Sequence, residues 1–208
     1  MNKITKIAIL SCLISIIILL IIFFLYSNKK TSTIDDNFVF LGDSITNGYN
    51  LDEYYPEYPT VKSGVNGYKT QDILNNMNKM VYIYNPSKVF LLIGINDIHS
   101  GKSKEYIINN IEKIIDNIKE NRKNAKIYVE SIYPVNSKMR SNSKNDFTIE
   151  VNKAIKKLCK EKNIVYINIH DLLTDNNGDL KKKYTTDGLH LSEDGYKVVT
   201  KEITKYLQ

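Results

Sequence analysis

The chain has 208 residues, of which 42% are hydrophobic and 25% charged, enough apolar material for one sizeable core and a length that points to one domain. Its formal charge of +6, from 29 Lys and Arg against 23 acids, is spread as lysines along every helical stretch and reads as a solvated surface. No basic and aromatic interleaving suggests nucleic acid, although Lys181-Lys182-Lys183 is a patch that could meet acidic wall polymers or lipid headgroups.

Residues 1–6 form a short tail. Ile7 to Tyr26 is then almost unbroken Ile, Leu and Phe. As a helix rising about 1.5 Å per residue, twenty such residues span roughly 30 Å, the hydrocarbon thickness of a bilayer. A secretory signal would have a shorter apolar region and a small-residue cleavage site, whereas this run passes through Phe24-Leu25-Tyr26 into Ser27-Asn28-Lys29-Lys30. The expectation is an uncleaved single-pass signal-anchor over 7–26, with a polar linker at 27–36 and a domain at 37–208 lying outside the cell membrane. Lysines on both sides nearly balance, so charge alone leaves the orientation open. Cys12 falls in the apolar run and Cys159 in a helical pattern, which makes a disulfide between them implausible.

The domain alternates strand-like and helix-like patterns. Strands are expected at Phe38 to Leu41, Thr60 to Gly64, Lys88 to Ile93, Lys126 to Ile132 and Ile164 to Ile169. The third is continuously apolar, as a strand buried on both faces should be. Helical spacing of apolar residues predicts helices over 70–80, 103–120 with Ser103 as cap, 148–162 and 193–207. Such alternation implies an α/β fold with a five-stranded parallel sheet between two helix layers, in which ligands bind beyond the carboxyl ends of the strands.

Four stretches fall at such ends. Gly42-Asp43-Ser44 follows the first strand and Gly67 follows the second. Gly94-Ile95-Asn96-Asp97 follows the third, and Asp187-Gly188-Leu189-His190 follows the fifth after a polar loop. An acyl-transfer serine needs a base, a carboxylate to orient that base, and donors where oxyanion charge develops. Each stretch also has a plainer reading: Ser44 and Gly67 as turn residues, Asn96 as a loop residue, His190 as a surface histidine. Their joint occurrence in one order favours a site.

As an ordered set, Gly-Asp-Ser-Ile-Thr at 42–46, the Gly67 turn, Gly-Ile-Asn-Asp at 94–97 and Asp-Gly-Leu-His-Leu-Ser at 187–192 resemble the SGNH, or GDSL-type, hydrolase superfamily. The resemblance implies a flavodoxin-like three-layer α/β/α fold and a serine esterase in which Ser44 attacks, His190 is the base and Asp187 orients it. It further implies an oxyanion hole from the backbone N–H groups of Ser44 and Gly67 and the amide of Asn96. Relatives often carry Asn two residues before the first glycine of the second block; here Lys62 stands there.

Rival constellations are weaker. The nucleophile elbow Gly-x-Ser-x-Gly is absent, and Gly64-x-x-Gly67-Tyr68-Lys69-Thr70 misses the phosphate-loop spacing. His170 and Asp171, as neighbours at a strand end, are expected to point to opposite faces. Asp97 and His99 lack a third metal ligand, and neither a metal nor an organic cofactor is expected. The expected substrate is a small acyl ester, acetyl foremost, including O-acetyl groups of envelope carbohydrate. A lipase, lysophospholipase or thioesterase shares the same triad, and a non-catalytic envelope-binding protein is a third reading. Tyr49, Tyr54, Tyr55 and Tyr58 either stack sugar rings near Ser44 or pack a loop.

Overall fold

The computed structural model describes residues 15–19, 36–141 and 143–208. Within residues 1–34, a unit of its own, the described residues 15–19 are helical. The rest of the expected anchor over 7–26 lies outside the described residues, as does all of the linker before Asp36. Among the described residues no helix is long and apolar enough to cross a membrane.

Residues 35–208 build a five-stranded sheet of β1 (Asn37–Gly42), β2 (Thr60–Gly64), β3 (Pro86–Leu92), β4 (Lys126–Glu130) and β5 (Val165–Ile167). The spatial order is β2-β1-β3-β4-β5 and every pairing is parallel. Chain direction across the sheet therefore reverses between β1 and β3, the crevice where ligands bind in such folds.

Period-two alternation sends successive strand residues to opposite faces, and here both faces are cores. Val39, Leu41, Val89, Leu91, Ile127 and Val129 bury an aliphatic face against Ile73, Met77 and the isoleucines of α1 (Lys104–Asn121), with Val151 and Ile155 of α2 (Asn145–Glu161). The other face is aromatic. Phe40, Phe90 and Tyr128 are register partners on three adjacent strands and stack at 4.8 and 4.7 Å between ring centres. Tyr49, Tyr55 and Tyr196 of α3 (Glu193–Ile203) close over them. Tyr49 and Tyr55 are 4% and 2% exposed, so these two rings pack a core and are not a sugar platform.

Several expected elements end early. The helix expected over 70–80 is two, Thr70–Asn75 and Met77–Met80, because Asn76 leaves the helical region and its Nδ2 donates to the Asp72 carbonyl at 2.8 Å. Beyond Glu130 the side chain of Asn152 takes over the backbone groups of Ile132, accepting from its N–H and donating to its carbonyl at 2.8 Å each. The last helix finishes at Ile203 and continues as one 3-10 turn, Thr204–Tyr206. Ser103 caps its helix as expected, accepting from Tyr106, and Ser192 caps the last helix, accepting from Gly195. Cys159 is a buried free thiol, and burial pushes its pKa up to about 12, which makes it inert.

Candidate active site

β1 delivers its last residue, Gly42, into a contact that only glycine fits: a Cβ there would collide with Thr46 Oγ1 and the Leu92 carbonyl of β3. The chain then turns at once into a four-residue helix, Ser44–Asn47, which Asp43 caps by accepting from the Ile45 N–H at 3.0 Å. Ser44 thereby opens that helix at the carboxyl edge of the sheet. Asp43 is fully buried with Oδ2 unpartnered, and burial raises its pKa to about 7.

His190 arrives from the far end of the chain. Its Nε2 lies 2.9 Å from Ser44 Oγ and its Nδ1 2.8 Å from Asp187 Oδ2. The Asp-x-x-His spacing does more than bring the two side chains close: Asp187 Oδ1 accepts the N–H groups of Leu189 and His190 at 2.9 and 2.8 Å, so the loop is folded around its own carboxylate. Arg140 adds a brace from a different loop, donating from Nη2 to Asp187 Oδ2 at 2.9 Å and from Nε to the Asp187 carbonyl at 3.2 Å. Partial burial alone would raise the Asp187 pKa, but these N–H donors, the His190 ring and Arg140 hold it well below the usual carboxylate range.

The other predicted residues converge on the same cleft, of about 500 Å³, lined by Ser44, Gly67, Asn96 and His190 together with Asn66 and Arg140. Gly67 has φ +77°, a conformation that favours glycine and lets the loop after β2 turn beside Ser44. Lys62 is exposed on β2 and takes no part. That loop is tied instead by Asn47 Nδ2 donating to Asn66 Oδ1 at 2.9 Å and by the Val65 N–H donating to the Gly42 carbonyl at 3.2 Å.

Asn96 sits on a short helix, Ile95–His99, after β3. Its Nδ2 donates to the Tyr68 carbonyl at 3.0 Å, which fixes the amide and leaves the second amide hydrogen for the cleft. The neighbouring Asp97 is fully buried and accepts from Thr70 N–H and Thr70 Oγ1 at 2.9 and 2.8 Å. Thr70 Oγ1 in turn accepts from Asn110 of α1 at 3.0 Å. The Asp97 carboxylate thus locks the Asn96 helix to the helix that follows Gly67.

His170 and Asp171 do meet, contrary to the strand-end expectation, because His170 opens a helix, His170–Leu173, and a helix does not alternate faces. Nδ1 lies 3.3 Å from Asp171 Oδ1 and from Thr174 Oγ1, but that hydroxyl already donates to the His170 carbonyl at 2.6 Å. Nε2 is buried and without a partner, so no hydroxyl is presented to it as Ser44 is to His190. Sequence reasoning missed Arg140, Asn47 and Asn66; the one available signal was the cationic character of the 134–145 loop.

A model described as the GDSL-like Lipase/Acylhydrolase family matches residues 40–198. A solved structure from Streptococcus pneumonia, provisionally described as a platelet activating factor, is 34% identical with a TM-score of 0.79 and covers 86% of this chain and 87% of that one. The lipase/acylhydrolase from Enterococcus faecalis shares the fold at a TM-score of 0.71 and 24% identity, covering 83% of this chain and 97% of that one. The N-acylneuraminate cytidylyltransferase of Escherichia coli is 31% identical over 123 residues, 58% of this chain. The chain spans only 28% of that enzyme's length and 35% of its Streptococcus agalactiae counterpart.

Proposed function

The chain belongs to the GDSL-like lipase/acylhydrolase family, and from that premise we propose that it is a serine hydrolase that cleaves small acyl esters through an acyl-enzyme on Ser44. The observation that carries this reading is the relay from Ser44 Oγ through His190 to Asp187, at 2.9 and 2.8 Å.

His190 Nε2 takes the Ser44 proton as Oγ forms a bond to the ester carbonyl carbon. Negative charge moves to the carbonyl oxygen, which the N–H groups of Ser44 and Gly67 and the free amide hydrogen of Asn96 receive. The tetrahedral intermediate collapses, the carbon–alkoxy bond breaks, and His190 returns the proton to the departing alcohol. Water, deprotonated by His190, then attacks the acyl-enzyme, and the acid leaves as Ser44 regains its proton. Asp187 keeps the imidazole oriented and offsets its charge while it is protonated.

An acetyl-sized acyl group is favoured because the cleft is open and, among the described residues, the loops around it carry no long apolar lid. The apolar run over 7–26 supports an anchor that keeps the domain at the outer face of a cell membrane. The cytidylyl transfer in the relatives' name is not carried over, since the chain spans about a third of those enzymes.

A serine-reactive phosphonate and a series of aryl esters of two to sixteen carbons test the reading. Labelling at Ser44 with fastest turnover of two-carbon esters is expected. A maximum at long chains would make it a lipase or thioesterase, and failure to label or turn over any ester would leave a non-catalytic binding protein.

A further inference from the structure

Beyond the Ser44 cleft lies a second cavity of about 660 Å³, lined by His99, Met139, Arg140, Ser141, Ser143 and Lys144. The two share Arg140 as a common wall. They are also joined through the Ile95–His99 helix, where Asn96 lines the first and His99, three residues on, lines the second.

The lining has one sign of charge. None of the described residues around it is acidic. Lys144 donates to the Ile98 carbonyl at 3.1 Å and forms no ion pair with a carboxylate among the described residues. Arg140 spends Nε and Nη2 on Asp187 and leaves Nη1 without a partner among the described residues. The pKa of His99 is lowered, first by burial and then by the charges of Arg140 and Lys144, which line the same cavity.

Hydrolysis at Ser44 gives the cavity a direction. The leaving oxygen must come within hydrogen-bond reach of His190 Nε2, so the alcohol half of the ester projects toward the histidine wall, which Arg140 backs. The carbonyl oxygen is received instead by the donors of Gly67 and Asn96.

Resting on the esterase reading, we propose that the second cavity is the subsite for the alcohol half and selects an alcohol bearing an anionic group, a carboxylate or a phosphate. Lys144 and the free edge of Arg140 receive the anion, Ser141 and Ser143 supply hydroxyl donors, and Met139 covers the apolar side of the ring or chain that carries it. An acetylated acidic sugar and an acetylated sugar phosphate both satisfy this chemistry.

The test compares kcat/KM of the purified full-length chain on three acetyl esters of one sugar: neutral, with a ring carboxylate, and with a phosphate. At least one anionic ester should exceed the neutral one by about tenfold, chiefly through KM, as charge-assisted hydrogen bonds imply. The favoured anion identifies the source. Raising salt should shrink the preference. Lys144 is exposed, so Lys144→Glu folds, and it should reverse the ratio. Equal kcat/KM for all three esters, or a ratio unchanged in Lys144→Glu, overturns the subsite and leaves the esterase standing. No turnover of any ester, aryl acetates included, overturns both.

Discussion

Arg140 and His190 bond the same oxygen of Asp187, at 2.9 and 2.8 Å, from loops 47 and 3 residues away from it. That oxygen is therefore shared between the proposed base and a cation with no counterpart in the motif. Arg140 acts through Asp187, as a positioning residue for His190.

Replacing Arg140 with Gln removes the charge-assisted bond and should lower kcat on a neutral acetyl ester about tenfold with little change in KM, the loss expected when one strong hydrogen bond to a charged group goes. Arg140→Lys should recover part of it. A KM effect with unchanged kcat on the neutral ester would show that Arg140 only contacts substrate.

Ser44→Ala should reduce turnover by at least about 1000-fold, since removal of a triad member leaves only residual catalysis. Its melting temperature should stay near wild type, because Ser44 sits at the lip of the cleft and, among the described residues, its hydroxyl bonds only His190. Wild-type-like turnover in the folded variant would reassign the nucleophile.

The site was legible because its parts lie at strand ends, where a parallel sheet must collect them. Ser44, Gly67, Asn96 and His190 come from four separate connections, and order along the chain was enough to bring them together. Arg140 was not legible, since a loop arginine carries no period and its partner is 47 residues away. The break at Asn76 was hidden for another reason: the apolar spacing of Ile73, Met77 and Met80 continues straight across it. Packing keeps the face while the side chain of Asn76 diverts the backbone. The tyrosine stretch left two readings open, because stacking on Phe40 and stacking on a sugar ask for the same rings; burial decides for packing.

Asn96→Ala tests the oxyanion role with a correction the structure supplies. Loss of one oxyanion donor costs about 100 to 1000-fold in turnover. The same substitution strands the Tyr68 carbonyl, which adds a stability loss of about 1 kcal/mol. Both effects should appear together, kcat falling far more than KM rises. A folded variant within about threefold of wild-type turnover would remove Asn96 from the oxyanion hole, given the much larger loss expected.

Glu130 gives the fold a pH dependence that can be read without any substrate. It is buried at the end of β4 and accepts from the Tyr133 hydroxyl at 2.5 Å. Burial raises its pKa from an ordinary 4.5 to about 7, against the opposing pull of that hydrogen bond. In the unfolded chain the proton leaves near 4.5; in the folded chain it stays to about 7. Between those values the folded state binds more protons, so stability falls as pH rises and levels off above 7. Asp43, also raised to about 7 by burial, contributes with the same sign. Glu130→Gln keeps an acceptor for Tyr133 and cannot ionise. It should therefore be more stable than wild type at pH 8 by on the order of 1 to 3 kcal/mol, nearly equal at pH 4, and should retain the smaller slope that Asp43 supplies. Urea unfolding of both proteins across that range checks it, and a wild-type stability that falls no more steeply than the variant's between about pH 5 and 7 would mean that Glu130 is ionised in the fold.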